Sequence, residues 1–226
     1  SNFEEGVFQD NQKTIQKCVE VLRKTEEQAA RAVDIMKRFA AFAKQDVTQE
    51  AQVEKVNLND VLSDVLPLVN HELALGKIIL VRNTPPSLPA IKADRRHLEE
   101  ILFNLIVNAC QSMKEKDTSG KIEISAEQQN DYVRILVKDD GPGIPSDKLS
   151  QIFEPFYTTK TEGTGLGLYI TKQLVEKNRG KISVVSKSGR GTEFSLLFFA
   201  ANDEISTFAG GKKTRLYADK LLSSAT

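Results

Sequence analysis

Apolar residues recur at a fixed spacing along the first part of the chain. One set returns every seven residues and a second set lies between its members: Ile15, Leu22, Ala29, Met36 and Ala43, then Cys18, Thr25, Ala32 and Phe39. This spacing predicts one long helix over about residues 10–45 that packs against partner helices. Because small Ala and polar Thr occupy the seam, a four-helix bundle suits it better than a two-stranded coil. The alternative is an amphipathic helix that lies on its own domain.

A polar stretch and a second helix follow. Residues 46–56 are polar and predict a linker. Asn59 is a good N-cap for a helix that ends at Gly76. Pro67 lies inside this helix, and we expect it to kink the helix or to shift its boundary.

The middle of the chain predicts a strand and then a strong helix. Residues 77–82 are extended by pattern, and the prolines within 83–89 exclude a helix there. Asp94 then caps a helix that runs to about Lys114.

The second half of the chain alternates apolar and polar residues in short runs, as strands do. The predicted elements are strands around Ile122–Ala126 and Val133–Val137, a glycine-punctuated loop at 139–163, a helix at about 166–178, and strands at 181–186 and 192–199. This mixed order predicts an α+β domain built as a two-layer α/β sandwich. Residues from 201 onward give no firm prediction.

Composition narrows the classes of function. The chain has 31 basic and 31 acidic residues, so no bulk charge favours nucleic acid or an anionic membrane. Cys18 and Cys110 are the only cysteines, which argues against a disulfide framework or a zinc site and fits a reducing cytosol. No apolar run reaches the roughly 20 residues that cross a bilayer.

A polar stripe follows one face of the helix that Asp94 caps. Glu100, Asn104, Asn108 and Gln111 share this face. The stripe alone is more typical of a solvated surface. However, two asparagines one turn apart offer neutral oxygens, which are suitable ligands for Mg²⁺ shared with phosphates.

Two glycine-rich turns lie next to regular elements: the first follows a predicted strand, and the second precedes a predicted helix. Asp139 ends a strand and precedes Gly141 and Gly143, so its carboxylate can accept a hydrogen bond from an exocyclic amine. The sequence Gly-Thr-Gly-Leu-Gly-Leu at 163–168 opens a helix, where backbone N–H groups suit a phosphate. Its spacing fits neither a P-loop nor a dinucleotide-binding turn. An acidic turn and a flexible connector are the simpler alternatives.

An aromatic loop lies between these two turns, at residues 152–160. Phe153 and Phe156 favour a loop that is anchored on the core, and Lys160 can reach a phosphate as a point charge. The loop can serve as a mobile lid, as a packed connector, or as both.

In this order, the motifs resemble the ATP-binding fold shared by histidine kinases, DNA gyrase, Hsp90 and MutL, the GHKL or Bergerat fold. Residues 104–109 resemble its N box, 139–144 its first glycine box, 153–156 its F box, 163–168 its second glycine box, and 191–194 its terminal Gly-Thr-x-Phe strand. The resemblance covers about residues 57–199 and implies a mixed sheet with helices on one face. The F box and the short lid resemble the nitrogen-regulation-type branch of sensor kinases.

The resemblance implies roles for individual residues. Asp139 would read the adenine amine of ATP, Asn108 assisted by Asn104 would hold Mg²⁺, and Lys160 would face the phosphates. The implied cofactor-binding residues are Asp139, Gly141, Gly143, Ile144, Phe153, Thr159, Gly163, Gly165, Leu166, Gly167, Leu168 and Thr192, and the implied catalytic residues are Asn104, Asn108 and Lys160.

Two positions qualify these roles. The ATPase members of the fold place a glutamate base where Asn104 stands, so its absence favours transfer to a protein side chain over hydrolysis. Many kinases carry a lysine or arginine where Gln111 stands. Neutralisation of phosphate charge would therefore depend more on Lys160.

Residues 27–39 resemble the second helix of a dimerisation and phosphoacceptor hairpin, but the histidine motif of its first helix is missing. His71 is expected on a helix surface and His97 in the first turn near the Asp94 cap, and neither precedes such a motif. The sequence thus predicts a kinase fragment that cannot phosphorylate itself: half a hairpin and a linker at 1–50, a catalytic domain at 51–200, and a tail of unknown role at 201–226.

The resemblance implies an ATP-dependent histidine kinase of a two-component system. Its partners would be a second copy, through the N-terminal helix, and the receiver domain of a response regulator. The implied location is cytoplasmic, which includes the cytoplasmic part of a membrane-bound sensor. The alternatives are an ATP-binding scaffold without catalysis and a serine kinase of the anti-sigma type, which the hairpin-like helix and linker disfavour.

Overall fold

The computed structural model describes residues 14–23, 25–26, 51–115, 120–160 and 163–201. Two compact units divide the chain, Ser1–Gln49 and Glu50–Thr226. In the first unit, residues 14–23 and 25–26 are helical and exposed, with Ile15 at 61% and Leu22 at 68% exposure. The rest of the helix predicted over 10–45 lies outside the described residues, as does the tail beyond 201.

The second unit begins with a short strand that the sequence pattern did not indicate. Strand β1 (Glu54–Val56) pairs antiparallel with β3 (Ile91–Ala93), which was not predicted either. The linker prediction for 46–56 is therefore wrong over β1. Polar neighbours hide this strand in the sequence, but Val56 is buried and pairs with Ile91.

Helix α1 (Leu58–Leu75) begins one residue before the predicted cap. Asn57 is the N-cap, and its side-chain oxygen accepts a hydrogen bond from the Asn59 N–H at 2.8 Å. The earlier start buries Leu58 together with Val61 on the face that meets the core. The helix runs through Pro67 and ends at Gly76 as predicted, so the proline does not shift its boundary.

A five-stranded mixed sheet forms one layer of the domain. Its strands are β2 (Ile79–Asn83), β4 (Lys121–Gln129), β5 (Tyr132–Asp139), β6 (Lys181–Ser186) and β7 (Thr192–Phe199), in the order β2-β4-β5-β7-β6. Only the β2–β4 pair is parallel among these neighbours. Strand β2 starts two residues later than predicted because the chain turns at Lys77, which has a φ of 50°.

Helices form the second layer, with α1 joined by α2 (Arg95–Glu115) and α3 (Gly167–Lys177). Alternate residues of β4 and β5 are buried, as expected for a sheet covered by helices on one face. The fully buried side chains of α2 include Leu98, Ile101, Leu102, Leu105 and Ile106. This arrangement confirms the α+β prediction. In the described part of the chain, no helix is long and apolar enough to span a membrane.

A buried polar cluster joins the start of α2 to the end of α3. The Asn178 side-chain oxygen accepts from the Asp94 N–H at 2.7 Å, and its amide nitrogen donates to the Leu174 carbonyl at 2.7 Å. The same nitrogen lies 3.1 Å from Nδ1 of His97. His97 does lie in the first turn beside Asp94, but it is only 8% exposed and contacts a second helix.

Candidate functional site

The ends of β5 and β7 bring Asp139 and Thr192 together. They are direct partners in the antiparallel register, and both are only 6% exposed. Oδ1 of Asp139 accepts hydrogen bonds from the N–H groups of Gly141 (2.9 Å) and Thr192 (3.2 Å). Burial raises the pKa of the Asp139 carboxyl, while these two N–H groups lower it. The result is a buried carboxyl held in one orientation.

The loop after Asp139 is locked onto the β6–β7 hairpin. Gly143 has a φ of +67°, and a Cβ there would lie 2.1 Å from the Lys187 carbonyl oxygen. The Pro142 carbonyl also accepts from the Gly189 N–H at 2.7 Å. Glycine at 143 is therefore required by both the backbone conformation and the close approach of the hairpin.

Ser186 is a part of this region that sequence reasoning missed. Its hydroxyl accepts from the Ile144 N–H at 2.8 Å, lies 2.9 Å from the Thr192 hydroxyl, and donates to the Gly191 carbonyl at 2.9 Å. A usable signal existed, because Ser186 is the last residue of a predicted strand. In a short hairpin that position pairs with the first residue of the next strand, here Thr192.

Oxygens on α2 converge on the ammonium group of Lys160. The Lys160 Nζ donates to the Asn108 backbone carbonyl at 3.0 Å, to the Asn108 side-chain oxygen, and to Oε1 of Gln111 at 3.2 Å. Asn104, one turn earlier on α2, is half-buried. The structure thus brings together Asn108, Lys160 and Gln111, the residue at which the sequence departs from the kinase pattern.

Helix α2 also approaches the loop after Asp139. A Cβ on Gly141 would lie 3.1 Å from Cγ of Met113 and 3.5 Å from the Ser112 hydroxyl. Lys160 is close enough to Asp139 to lower the pKa of its carboxyl, against the larger effect of burial. The carboxylate and the oxygen cluster are therefore parts of one region.

The aromatic loop is packed onto the sheet at one end and exposed at the other. The ring of Phe153 meets Phe194 edge to face at 6.5 Å, and the Lys172 ammonium lies 5.8 Å from the Phe153 centroid. Phe156 is 61% exposed with a φ of 65°. A Cβ on Gly165 would lie 2.3 Å from the Phe156 carbonyl carbon, so the glycine turn is pressed against this loop.

The remaining predicted residues frame the start of α3. Leu166 is the buried residue before the helix, Leu168 is half-buried, and Thr159 is exposed. A Cβ on Gly163 would lie 2.2 Å from the Thr158 hydroxyl. Residues 161–162 lie outside the described part of the chain.

Gly167, the first residue of α3, differs from the other glycines of this turn. A Cβ at this position would meet no atom within 4 Å in the described part of the chain. Packing therefore does not require glycine here. The open space lies at a helix N-terminus, where backbone N–H groups carry partial positive charge.

Comparison with known proteins gives consistent results. A family model described as histidine kinase-, DNA gyrase B- and HSP90-like ATPase matches residues 93–202. The sensor histidine kinase ZraS of Escherichia coli (strain K12) is 38% identical over 144 residues, or 64% of this chain and 30% of that protein. Sporulation kinase E of Bacillus subtilis (strain 168) is 31% identical over 74% of this chain and 22% of that protein. The matched region spans less than a third of these curated relatives.

Solved structures agree with the fold. The catalytic domain of histidine kinase ThkA is 31% identical with a TM-score of 0.58, covering 66% of this chain and 96% of that one. Full-length ShkA, solved with AMPPNP, is 30% identical with a TM-score of 0.60, covering 69% of this chain and 33% of that one. ThkA in complex with the response regulator protein TrrA is 27% identical with a TM-score of 0.63, covering 77% of this chain and 49% of that one. This chain therefore belongs to the histidine kinase-, DNA gyrase B- and HSP90-like ATPase family and contains a histidine kinase catalytic domain.

Proposed function

We propose that the chain is the catalytic part of a sensor histidine kinase of a two-component system. It would bind ATP and pass the γ-phosphoryl group to a histidine on another helix, from which an aspartate of a response regulator would receive it. The observation that carries this proposal is the Asp139 carboxyl, which is buried at a strand end beside Thr192. A buried carboxylate is costly unless it is hydrogen-bonded.

The hydrogen bonds of Asp139 support an amine as its ligand. Both backbone donors reach Oδ1, and in the described part of the chain no group donates to Oδ2. An ionised carboxylate accepts hydrogen bonds only, so Oδ2 suits an N–H donor such as the 6-amine of adenine. Gly141, Gly143 and Ile144 would line the same end of the nucleotide.

The residues at the other end fit a triphosphate. Gly167 leaves room at the start of α3 for a phosphate to approach backbone N–H groups. Gly163, Gly165, Leu166 and Leu168 would shape the same turn, and Phe153 and Thr159 would belong to the loop that covers it. Lys160 would supply positive charge to the phosphates.

The oxygen cluster on α2 supports a cation site. The Asn108 side chain and the Gln111 side chain already accept hydrogen bonds from one cation, the Lys160 ammonium. We assign Mg²⁺ to the side-chain oxygens of Asn108 and Asn104, because this ion prefers oxygen ligands and is commonly shared with phosphates. Bound there, Mg²⁺ would neutralise charge on the transferring group.

The rest of the proposal concerns the intact protein. The helical pattern at 10–45 supports the second helix of a dimerisation hairpin and a linker at 1–50, which would join a second copy, with the catalytic domain at 51–200. A response regulator is proposed as partner because the relative ThkA was solved with one. The F box and lid support the nitrogen-regulation-type branch, and a cytoplasmic location would give access to ATP. His71 and His97 do not fit the role of phosphoacceptor.

A transfer assay tests this proposal. The chain is mixed with γ-labelled ATP, Mg²⁺ and a separate hairpin that carries the phosphoacceptor histidine. We expect acid-labile label on the hairpin, and loss of the label with Asp139→Asn or Asn108→Ala. ATP that binds more tightly with Mg²⁺ while no histidine hairpin becomes labelled would argue for a nucleotide-binding scaffold instead. Transfer that survives both substitutions would refute the site.

A further inference from the structure

The hydroxyl group of Ser186 is the centre of a hydrogen-bond chain at the junction of β6 and β7. Three groups lie within hydrogen-bond distance of it: the Ile144 N–H at 2.8 Å, the Gly191 carbonyl at 2.9 Å and the Thr192 hydroxyl at 2.9 Å. A serine hydroxyl has one proton to donate and two lone pairs that accept. The three contacts therefore use its full capacity.

The directions of these bonds follow from counting protons. The Ile144 N–H can only donate, and the Gly191 carbonyl can only accept, so the single Ser186 proton points to Gly191. The Thr192 hydroxyl must then donate its own proton to Ser186. If the Ser186 proton pointed to Thr192 instead, the lone pairs of Ser186 and the Gly191 carbonyl would face each other at 2.9 Å.

Because its proton points to Ser186, the Thr192 hydroxyl can offer a ligand only its lone pairs. Its strand partner Asp139 is in the same position, since Oδ1 accepts both backbone donors and Oδ2 is an acceptor. Directly paired residues of antiparallel strands project to the same face of the sheet. Two acceptors thus project from paired positions on one face of the sheet. An exocyclic amine has two N–H groups, one for each acceptor.

We propose that Ser186 is a positioning residue that makes this site selective for a 6-amino purine by fixing the Thr192 hydroxyl as an acceptor. The inference rests on the proposed ATP site at Asp139 and goes one step further. Asp139 recognises one N–H of the amine, while Ser186, which is behind Thr192, determines whether the second acceptor is available. Without Ser186 the Thr192 proton is free to rotate toward the amine and weaken that contact.

The experiment measures how much the 6-amine contributes to affinity. Calorimetry gives the dissociation constants of ATP and of purine riboside triphosphate, which lacks only that amine, for the full chain. We expect the wild-type protein to prefer ATP by about tenfold or more. In Ser186→Ala this preference falls by about threefold. Loosening of the Ile144 loop weakens both nucleotides alike, so it cancels in the ratio.

Three further variants make the test specific. Ser186→Thr retains the hydroxyl and is expected to restore the preference. Thr192→Val removes the second acceptor, so adding Ser186→Ala to it should produce no further change in the ratio. Ser188→Ala is a matched control, because Ser188 is an exposed serine of the same hairpin turn.

The outcomes separate this inference from the proposed function. If the wild-type chain bound neither nucleotide, both would be overturned. An ATP preference that is present in the wild type and unchanged in Ser186→Ala would overturn the role of Ser186 alone. If Ser186→Ala folds poorly, Thr192→Val and Ser186→Thr still test the inference independently.

Discussion

The ammonium group of Lys160 donates a hydrogen bond to the backbone carbonyl of Asn108 at 3.0 Å, and so joins the end of the aromatic loop to helix α2. A backbone carbonyl cannot be removed by changing the Asn108 side chain. The lysine position is therefore supported by the helix itself, and the Asn108 side chain can be varied without abolishing every contact between the two residues.

Replacing Lys160 by Gln should weaken binding of ATP more than binding of adenosine. The charge of Lys160 is proposed to act on the phosphates, and a hydrogen bond to a charged group contributes enough for about a tenfold change. Competition binding with ATP and adenosine measures the two effects. Lys160→Arg, which keeps the charge, is the control. Equal weakening of both ligands would show that the charge of Lys160 does not act on the phosphates.

Asp139→Asn should separate stability from binding. Burial raises the pKa of this carboxyl, so its charged form is a net cost to the folded state at pH 7. Asparagine retains an oxygen for the N–H groups of Gly141 and Thr192. We expect the free energy of unfolding at pH 7 to stay constant or to rise by up to about 1 kcal/mol. ATP affinity should fall at least about tenfold.

Denaturant titration and calorimetry check these two quantities. A loss of stability of several kcal/mol would show that the carboxylate charge has a structural role. An unchanged affinity for ATP would refute amine recognition by Asp139.

The buried polar cluster around His97 predicts that the folded state loses stability in acid. The Asn178 side-chain oxygen accepts from the Asp94 N–H, and its NH₂ group donates to the Leu174 carbonyl. The same NH₂ group faces Nδ1 of His97, so this ring nitrogen has to be a hydrogen-bond acceptor. Burial lowers the pKa of His97. Asp94 opposes this shift, and the positive charges of Lys177 and Arg96 add to it. A lowered pKa means that the unfolded chain binds more protons as the pH falls below 6.5.

The stability supplied by neutral His97 should therefore be complete above pH 6.5 and be lost as the pH falls through its folded pKa, by at most about 1.4 kcal/mol per pH unit. Unfolding measured from pH 7.5 to 5 checks this slope. His97→Asn keeps an acceptor near Nδ1 but does not titrate, so its curve should be flatter. Asp139, whose pKa is raised, acts in the opposite direction in both proteins. Parallel curves for the two proteins would refute the role of His97.

Two glycine substitutions distinguish strain from crowding. Gly143→Ala places a methyl group 2.1 Å from the Lys187 carbonyl oxygen at a positive φ, and it should cost about 2–4 kcal/mol of stability. Gly189 also has a positive φ, of 76°, but a Cβ there meets no atom within 4 Å in the described part of the chain. Gly189→Ala should therefore cost only about 1 kcal/mol. Equal losses in chemical denaturation would mean that the loop moves away from the hairpin.

Gly167→Ala tests the phosphate end of the site. Because the new methyl group meets open space and the residue is helical, stability should stay constant or rise by up to about 1 kcal/mol. ATP affinity should fall, since the methyl group occupies the space through which a phosphate approaches the backbone. Thermal unfolding and calorimetry give both values. Wild-type affinity in this variant would refute the close approach.

The sequence predicted the features that depend on local pattern. Strands 181–186 and 192–199 have the predicted bounds, since alternation and the intervening glycines determine them. The three-residue strands β1 and β3 are too short to show alternation. The role of the His97–Asn178 pair depends on contacts between residues that are distant in sequence, and no local pattern reports those. The role of Ser186 depends on its pairing with Thr192 across a short hairpin, for which the predicted strand bounds were the only signal. The residues of the glycine loops could be proposed as site residues from the sequence because their spacing is local.

The pairing of Asp139 with Thr192 also protects the sheet from misalignment. In the observed register Glu193 is opposite Lys138, so unlike charges face each other next to the Asp139–Thr192 pair. Sliding β7 by one residue would set Glu193 opposite Asp139 and bring two carboxylates together at a buried position. The same slip would turn the buried side chains of an interior strand to the other face. Electrostatic repulsion and loss of the core thus select the one alignment that pairs the two acceptors of the proposed site.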